Sequence, residues 1–152
     1  MINRVTFSVT GAFLLSMLWG ANAFADDVNV EALVRAFKPD IVYIKPGDTV
    51  HWNNMNSHDT VSQDDMIPKG AKGWRGAIGE NYSVTLTKEG VYPYICEPHI
   101  GFGMAGVIVV GKPVNIDAAM DWARKNLKGP KRRLIGKLLH VQRAAKQAVA
   151  SH

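Results

Sequence analysis

The chain of 152 residues contains a single cysteine, Cys96, with His99 three positions on and Met104 five beyond that, inside the stretch YICEPHIGFGM. A thiolate, an imidazole and a thioether this close together suit one soft transition-metal ion. Copper is the ion favoured by a thiolate and two imidazoles in a trigonal plane with a weak axial thioether. The stretch lacks the second imidazole. His58, 38 residues before Cys96 and between two predicted strands, supplies it. The thiolate gives a strong bond, the imidazoles accept either oxidation state, and the thioether is too weak to impose the tetragonal geometry that Cu(II) prefers. Such a compromise shape needs little rearrangement when an electron moves. Pro98, Gly101 and Gly103 fit a tight ligand loop.

Other assignments compete for each residue. A lone buried cysteine is more often inert packing, Met104 could be core, and His58 alone reads as a loop histidine. Zinc also takes cysteine and histidine but does not usually recruit methionine. Met55 and Met66 are alternative thioethers outside the ligand loop, and His51 sits on a predicted strand, near the site or facing solvent. His140 belongs to a predicted helix and His152 ends the chain.

These residues need a frame that holds loops at one end. Val28–Val34, Ile41–Ile44, Thr49–Trp52, Thr60–Val61, Asn81–Leu86, Val91–Ile95 and Met104–Val110 read as strands, from alternation or from β-branched and aromatic runs. Phe37-Lys38-Pro39 reads as a break, and Pro46-Gly47-Asp48 and Lys88-Glu89-Gly90 as turns. Residues 63–79 read as a long surface connection with room for one helical turn. The period then changes. Asn115-Ile116-Asp117 offers a cap for a helix over Ala118–Leu127, Gly129-Pro130 stops it, and Lys131–Val149 forms a second helix. The expected fold is all-β: a two-sheet sandwich over about 28–111, with two C-terminal α-helices over about 115–150 laid against one side.

Residues 1–25 read as an export signal: Arg4, an apolar run from Val5 to Trp19, and Ala23-Phe24-Ala25 before Asp26. Cleavage after Ala25 leaves one domain, 26–152, and removes Arg4 but no acid, so the formal charge falls from +5 to +4. An unpaired thiol in an exported protein is a liability unless it is buried, liganded or catalytic.

The motif Cys96-x-x-His99-x-x-x-x-Met104 at the start of an apolar strand resembles the cupredoxin (type 1 blue copper) family. The likeness extends to Lys45–Val50, the histidine before a short strand, Asp65–Pro68 and Glu89–Tyr92. The two trailing helices set the chain apart from plastocyanin, which normally ends at the last strand. Carried over by position, the resemblance implies His58, Cys96, His99 and Met104 as ligands of one copper ion cycling between Cu(I) and Cu(II). It implies a Greek-key sandwich and a monomeric periplasmic one-electron carrier rather than an enzyme. Its partners would be redox proteins such as nitrite reductase or cytochrome c. Two positions depart from the pattern. Asp59 stands where Asn is usual and Glu97 where Thr or Ser is usual. Two carboxylates cannot hydrogen-bond unless one is protonated, so backbone N–H groups or nearby Lys and Arg are their alternative partners.

His99, Ile100 and Phe102 would form the apolar port for electrons, unless Ile100 or Phe102 points inward, with Lys38, Lys69, Lys72 and Arg75 as a basic rim for an acidic partner. A second basic cluster, from Lys128 to Lys146, reads as the solvated face of a packed helix. Anionic lipid or a second acidic partner is the weaker reading of that cluster. No nucleic-acid motif, second metal site or acid–base pair is present. The competing function is a non-redox copper-binding or delivery protein.

Overall fold

The computed structural model describes residues 26–151. The expected signal segment lies outside them. Among the described residues, eight strands form two four-stranded sheets: β1 (Asp27–Leu33), β2 (Ala36–Lys38), β3 (Ile41–Ile44), β4 (Thr49–Asn53), β5 (Val61–Ser62), β6 (Tyr82–Thr85), β7 (Gly90–Ile95) and β8 (Ala105–Val110). One sheet has the order β2-β1-β4-β6 and the other β3-β8-β7-β5. Helices α1 (Ile116–Asn126) and α2 (Arg133–Ala150) follow, joined through a 3₁₀ turn at Gly129–Arg132. Among the described residues, no helix is long and apolar enough to cross a membrane.

Every residue of β7 and β8 is buried because their sheet is covered on both faces. Tyr92, Tyr94, Ile108 and Val110 point into the space between the sheets, with Trp52, Val50 and Phe37 opposite. The alternate residues, Val91, Ile95, Val107 and Val109, pack under α1 and α2. The helices meet them with Ile116, Ala119, Met120 and Ala123 from α1 and Leu134, Leu138 and Val141 from α2, at the three- and four-residue spacing of one helical face. Continuing the same alternation past the strand ends turns Cys96 and Met104 into the sandwich core rather than toward the helices.

The structure departs from the sequence reading at three places. Phe37 and Lys38 do not break the sheet: Ala36–Lys38 folds back as β2, pairing Leu33 with Ala36 in a tight hairpin. Residues 63–79 are not merely a surface connection. Met66 and Trp74 are buried, and Arg75 bridges to Val61. Asn115 precedes α1 but does not cap it. Its side chain accepts from Val91 N–H (2.7 Å) and donates to the carbonyls of Met66 (2.9 Å) and Val91 (3.1 Å), pinning the helix start to β7.

Two features carry measurable consequences. Tyr94 faces Gly106 across the β7–β8 ladder, and a Cβ at 106 would strike its ring. Gly106→Ala should therefore lower unfolding stability by about 1–3 kcal/mol, the usual cost of overpacking a core, measured by denaturant unfolding. In the 46–48 turn, the Asp48 carboxylate accepts from the backbone N–H groups of Asp26 (2.9 Å) and Lys45 (2.8 Å). Those bonds hold its pKa below the ordinary carboxylate value. Its contribution is present above about pH 4 and is lost as pH falls through the depressed folded value. Asp48→Asn should lower the melting temperature at neutral pH, with the gap to the parent closing in acid.

Candidate metal centre

The centre lies where β7 ends and β8 begins. The strands are antiparallel, so the residues just beyond the ladder, Cys96 and Met104, meet again: Cys96 N–H donates to the Met104 carbonyl at 3.0 Å. The eight residues from Cys96 to Gly103 close a compact loop on themselves. His99 N–H donates to Cys96 C=O (3.3 Å), and the His99 carbonyl accepts from Phe102 (3.0 Å) and Met104 (3.3 Å). Gly103, at φ 82°, takes the left-handed conformation that ends the Ile100–Phe102 3₁₀ turn. His58 comes from the other sheet's side, in the loop after β4, where its N–H donates to Met55 C=O at 2.9 Å.

The side chains converge. Cys96 Sγ lies 3.6 Å from His58 Nδ1 and 3.4 Å from His99 Nδ1, and the three donor atoms lie within 4.8 Å of one another. The imidazole rings stand 4.5 Å apart at 44°. Bonds of about 2.0–2.1 Å to nitrogen and 2.3 Å to sulfur, opened to roughly 110°, place sulfur and nitrogen about 3.6 Å apart. The three residues thus fit a single first-row metal ion. Met104 is fully buried, in the same core cluster as Cys96. Met55 shares that cluster, whereas Met66 packs on the helix side of the sheet. His51 is remote: its Nδ1 bonds Ser83 Oγ at 2.6 Å and its Nε2 lies 3.4 Å from Asp27. His140 is exposed on α2.

Protonation follows from burial. Desolvation lowers the pKa of His58, so its ring is neutral at pH 7. Desolvation raises the pKa of Cys96, while the backbone N–H groups of Asp59 and His99 act in the opposite direction by favouring the thiolate. A cation held there would favour the thiolate further, in the same direction as those two N–H groups.

The two unusual carboxylates have separate partners. Asp59 is buried, and one carboxylate oxygen accepts from Glu97 N–H at 2.7 Å, joining the His58 loop to the Cys96 loop. Glu97 points outward into a two-pronged ion pair with Arg75, at 2.6 and 3.1 Å. Their assignment follows the geometry. Asp59 needs no proton to make its bond, because a backbone N–H donates. The Glu97 pKa is lowered, chiefly by Arg75, whereas burial pushes that of Asp59 up.

The surface around His99 differs from the expected rim. Phe102 is 53% exposed, but Ile100 is half-buried against the helix-side core. Lys69 and Lys72 sit beside Lys88 and the turn after β6, at the end of the sandwich away from His58. Lys38 lies opposite Glu31 on the β1–β2 ladder. Of the four expected cations only Arg75 is placed at the ligand loop. The β1–β2 hairpin supplies what the sequence reading missed. Leu33 and Val34 line a depression of about 530 Å³ with His58 and His99, and the Arg35 guanidinium stacks 4.5 Å over Phe102. Leu33 and Val34, two exposed aliphatics before an arginine, were the available signal.

A two-sheet sandwich with two imidazoles and a thiolate gathered at one end defines a cupredoxin-type metal centre. The chain belongs to the plastocyanin/azurin family of copper-binding proteins, whose profile matches residues 25–111. Membership places it among binding proteins rather than enzymes. It is 35% identical over 104 residues to pseudoazurin of Paracoccus pantotrophus, covering 67% of this chain and 68% of that one. It is 37% identical over 106 residues to chloroplastic plastocyanin of Hordeum vulgare, covering 62% and 68%. Native pseudoazurin from Hyphomicrobium denitrificans superposes with a TM-score of 0.65 at 31% identity, over 76% of this chain and 98% of that one.

Asp59 gives a signed prediction for the metal-free protein. Its raised folded pKa means that its charge opposes folding above the ordinary carboxylate pKa, and the penalty vanishes in acid. Asp59→Asn keeps an acceptor for Glu97 N–H and should be more stable than the parent at pH 7, the advantage narrowing as pH falls. Asp59→Ala leaves that N–H unpaired and should fall below Asp59→Asn by about 1–3 kcal/mol in denaturant unfolding.

Proposed function

We propose that this chain is a periplasmic one-electron carrier, exported by residues 1–25 and working as the single domain 26–152, in which His58, Cys96, His99 and Met104 hold one copper ion. The observation that carries this reading is the pair of imidazole Nδ1 atoms facing one fully buried thiol sulfur at 3.6 and 3.4 Å. The copper ion supplies the redox chemistry by alternating between Cu(I) and Cu(II).

The chain's own part is to hold the donors still and to offer a route out. His58 and Cys96 are buried, and Met104 is tied through both backbone groups. The Asp59–Glu97 bond locks the two ligand loops together, so the donors keep their positions in either charge state. Little reorganisation is the property a carrier needs. His99 is only half-buried, and its ring lies at the surface depression beside Leu33 and Val34. A redox partner such as nitrite reductase or cytochrome c would dock there over a small, weakly held interface. Arg35, stacked over Phe102, is the cation beside it for an acidic counterpart. A delivery protein would need ligands open to exchange, whereas here two of the three converging residues, His58 and Cys96, are buried.

Adding Cu(II) to the purified protein should give an intense blue colour that a reductant bleaches reversibly, and Cys96→Ser should abolish it. A protein that takes zinc and shows no visible band with copper contradicts the proposal. Asp59→Asn and Glu97→Thr should each shift the reduction potential with copper still bound, measured by redox titration of the visible band. Unchanged potentials in both would deny these carboxylates a tuning role.

A further inference from the structure

The charges of this chain are segregated. Residues 26–111 carry seven Lys and Arg against eleven Asp and Glu, whereas residues 112–152 carry ten against two. The sandwich is thus −4 and the helical segment +8. α2 contains no acidic residue. Among the described residues, Lys137 is the only cation of that segment in an ion pair, with Asp40.

The C-terminal part of α2 also leaves apolar surface uncovered. Its last five residues, Lys146 to Ala150, are all exposed as the helix passes the end of the sheet. Between it and the segment after β8 runs a groove of about 580 Å³, with Val114, Ala145, Ala148 and Val149 in its lining and Lys112 and Lys146 beside them. Val114 is 68% exposed and Val149 80%. The one carboxylate in the groove, Asp117, accepts from Gln142 Nε2 at 2.6 Å and sits in the first turn of α1. The groove lies at the opposite end of β8 from the ligand loop. Six residues at about 3.3 Å each separate the two ends by roughly 20 Å.

We propose that this end of the helical segment docks on a bilayer surface bearing anionic phospholipid. Lys112, Arg143 and Lys146 meet the headgroup phosphates, and Val114 and Val149 enter the boundary below them. Basic residues flanking exposed aliphatics are the combination that holds a helix at an anionic interface. A folded acidic protein would match the charge but gives no use for the two exposed valines of the groove, Val114 and Val149. Docking there leaves the His99 edge on the far side of the molecule, free to meet partners. The inference does not depend on the metal centre being a copper site.

The test uses the chain starting at Asp26, which contains the whole described fold, and sedimentation with vesicles. Vesicles of phosphatidylcholine mixed with phosphatidylglycerol should carry the protein down, phosphatidylcholine alone should not, and high salt should release it. Lys112→Gln/Lys146→Gln should weaken binding about tenfold, and Val114→Ser/Val149→Ser about threefold or more. All four residues are exposed, so the variants should keep the parent's circular dichroism. Arg124→Gln/Lys125→Gln, on α1, should change binding little. The proposal fails if anionic vesicles leave the protein in solution, or if neither double variant weakens binding. An equal loss in the α1 variant would show diffuse charge rather than this face and would also overturn it. So would retention on polyglutamate, or self-association, through the same lysines without vesicle binding.

Discussion

The pairing of β7 with β8 is the constraint on which the rest of the molecule depends. Six residues from each strand face each other, all are buried, and the ladder ends with Ile95 opposite Ala105. Antiparallel geometry then returns Met104 to Cys96, so a loop between them can be short and fully hydrogen-bonded. Burying both faces of this pair requires a second sheet on one side and helices on the other. The helices are therefore structural partners of the strands that carry the ligand loop, and not an addition to a finished sandwich.

That arrangement explains how one strand pair serves two purposes. Alternate side chains belong to different cores: Tyr94 and Ile108 hold the sheets together, and Ile95 and Val107 hold the helices. The phase of the alternation sends Cys96 and Met104 to the sandwich side, where His58 arrives from the other sheet. A one-residue slip would point Cys96 at the helices and separate it from His58. Tyr94 over Gly106 opposes such a slip, because only glycine accommodates the ring at that register.

The carboxylates at 59 and 97 show how a local oddity is resolved by the fold. Both depart from the family pattern, and as a facing pair they could not hydrogen-bond without a proton. Asp59 is turned to accept from a backbone N–H, and Glu97 is turned outward to Arg75. The bond that joins the two ligand loops is thus made by a carboxylate and a backbone N–H. Its buried carboxylate carries a desolvation penalty that a neutral amide would not.

The sequence alone determined the donor types and spacing, six of the eight strands nearly to the residue, the short strand near Val61 and both helices. Each of these is written in neighbouring residues, as periodicity, turn chemistry or a motif. It also held the charge segregation, which needs only counting. The tertiary structure decided what depends on distant pairs. β2 forms because Leu33 and Ala36 close a hairpin that no turn residue announces. Trp74 and Met66 are buried because other elements fold over a polar stretch. Asn115 serves β7 instead of its own helix. Arg35 and Arg75 reach the ligand loop and Lys69 and Lys72 do not, since neighbourhood on a surface follows sheet order and not chain order. Sequence spacing proposes His58, Cys96, His99 and Met104 together, and the structure brings the first three to one point. That His58, Cys96 and His99 meet within 4.8 Å is a property of two sheets packed in one register.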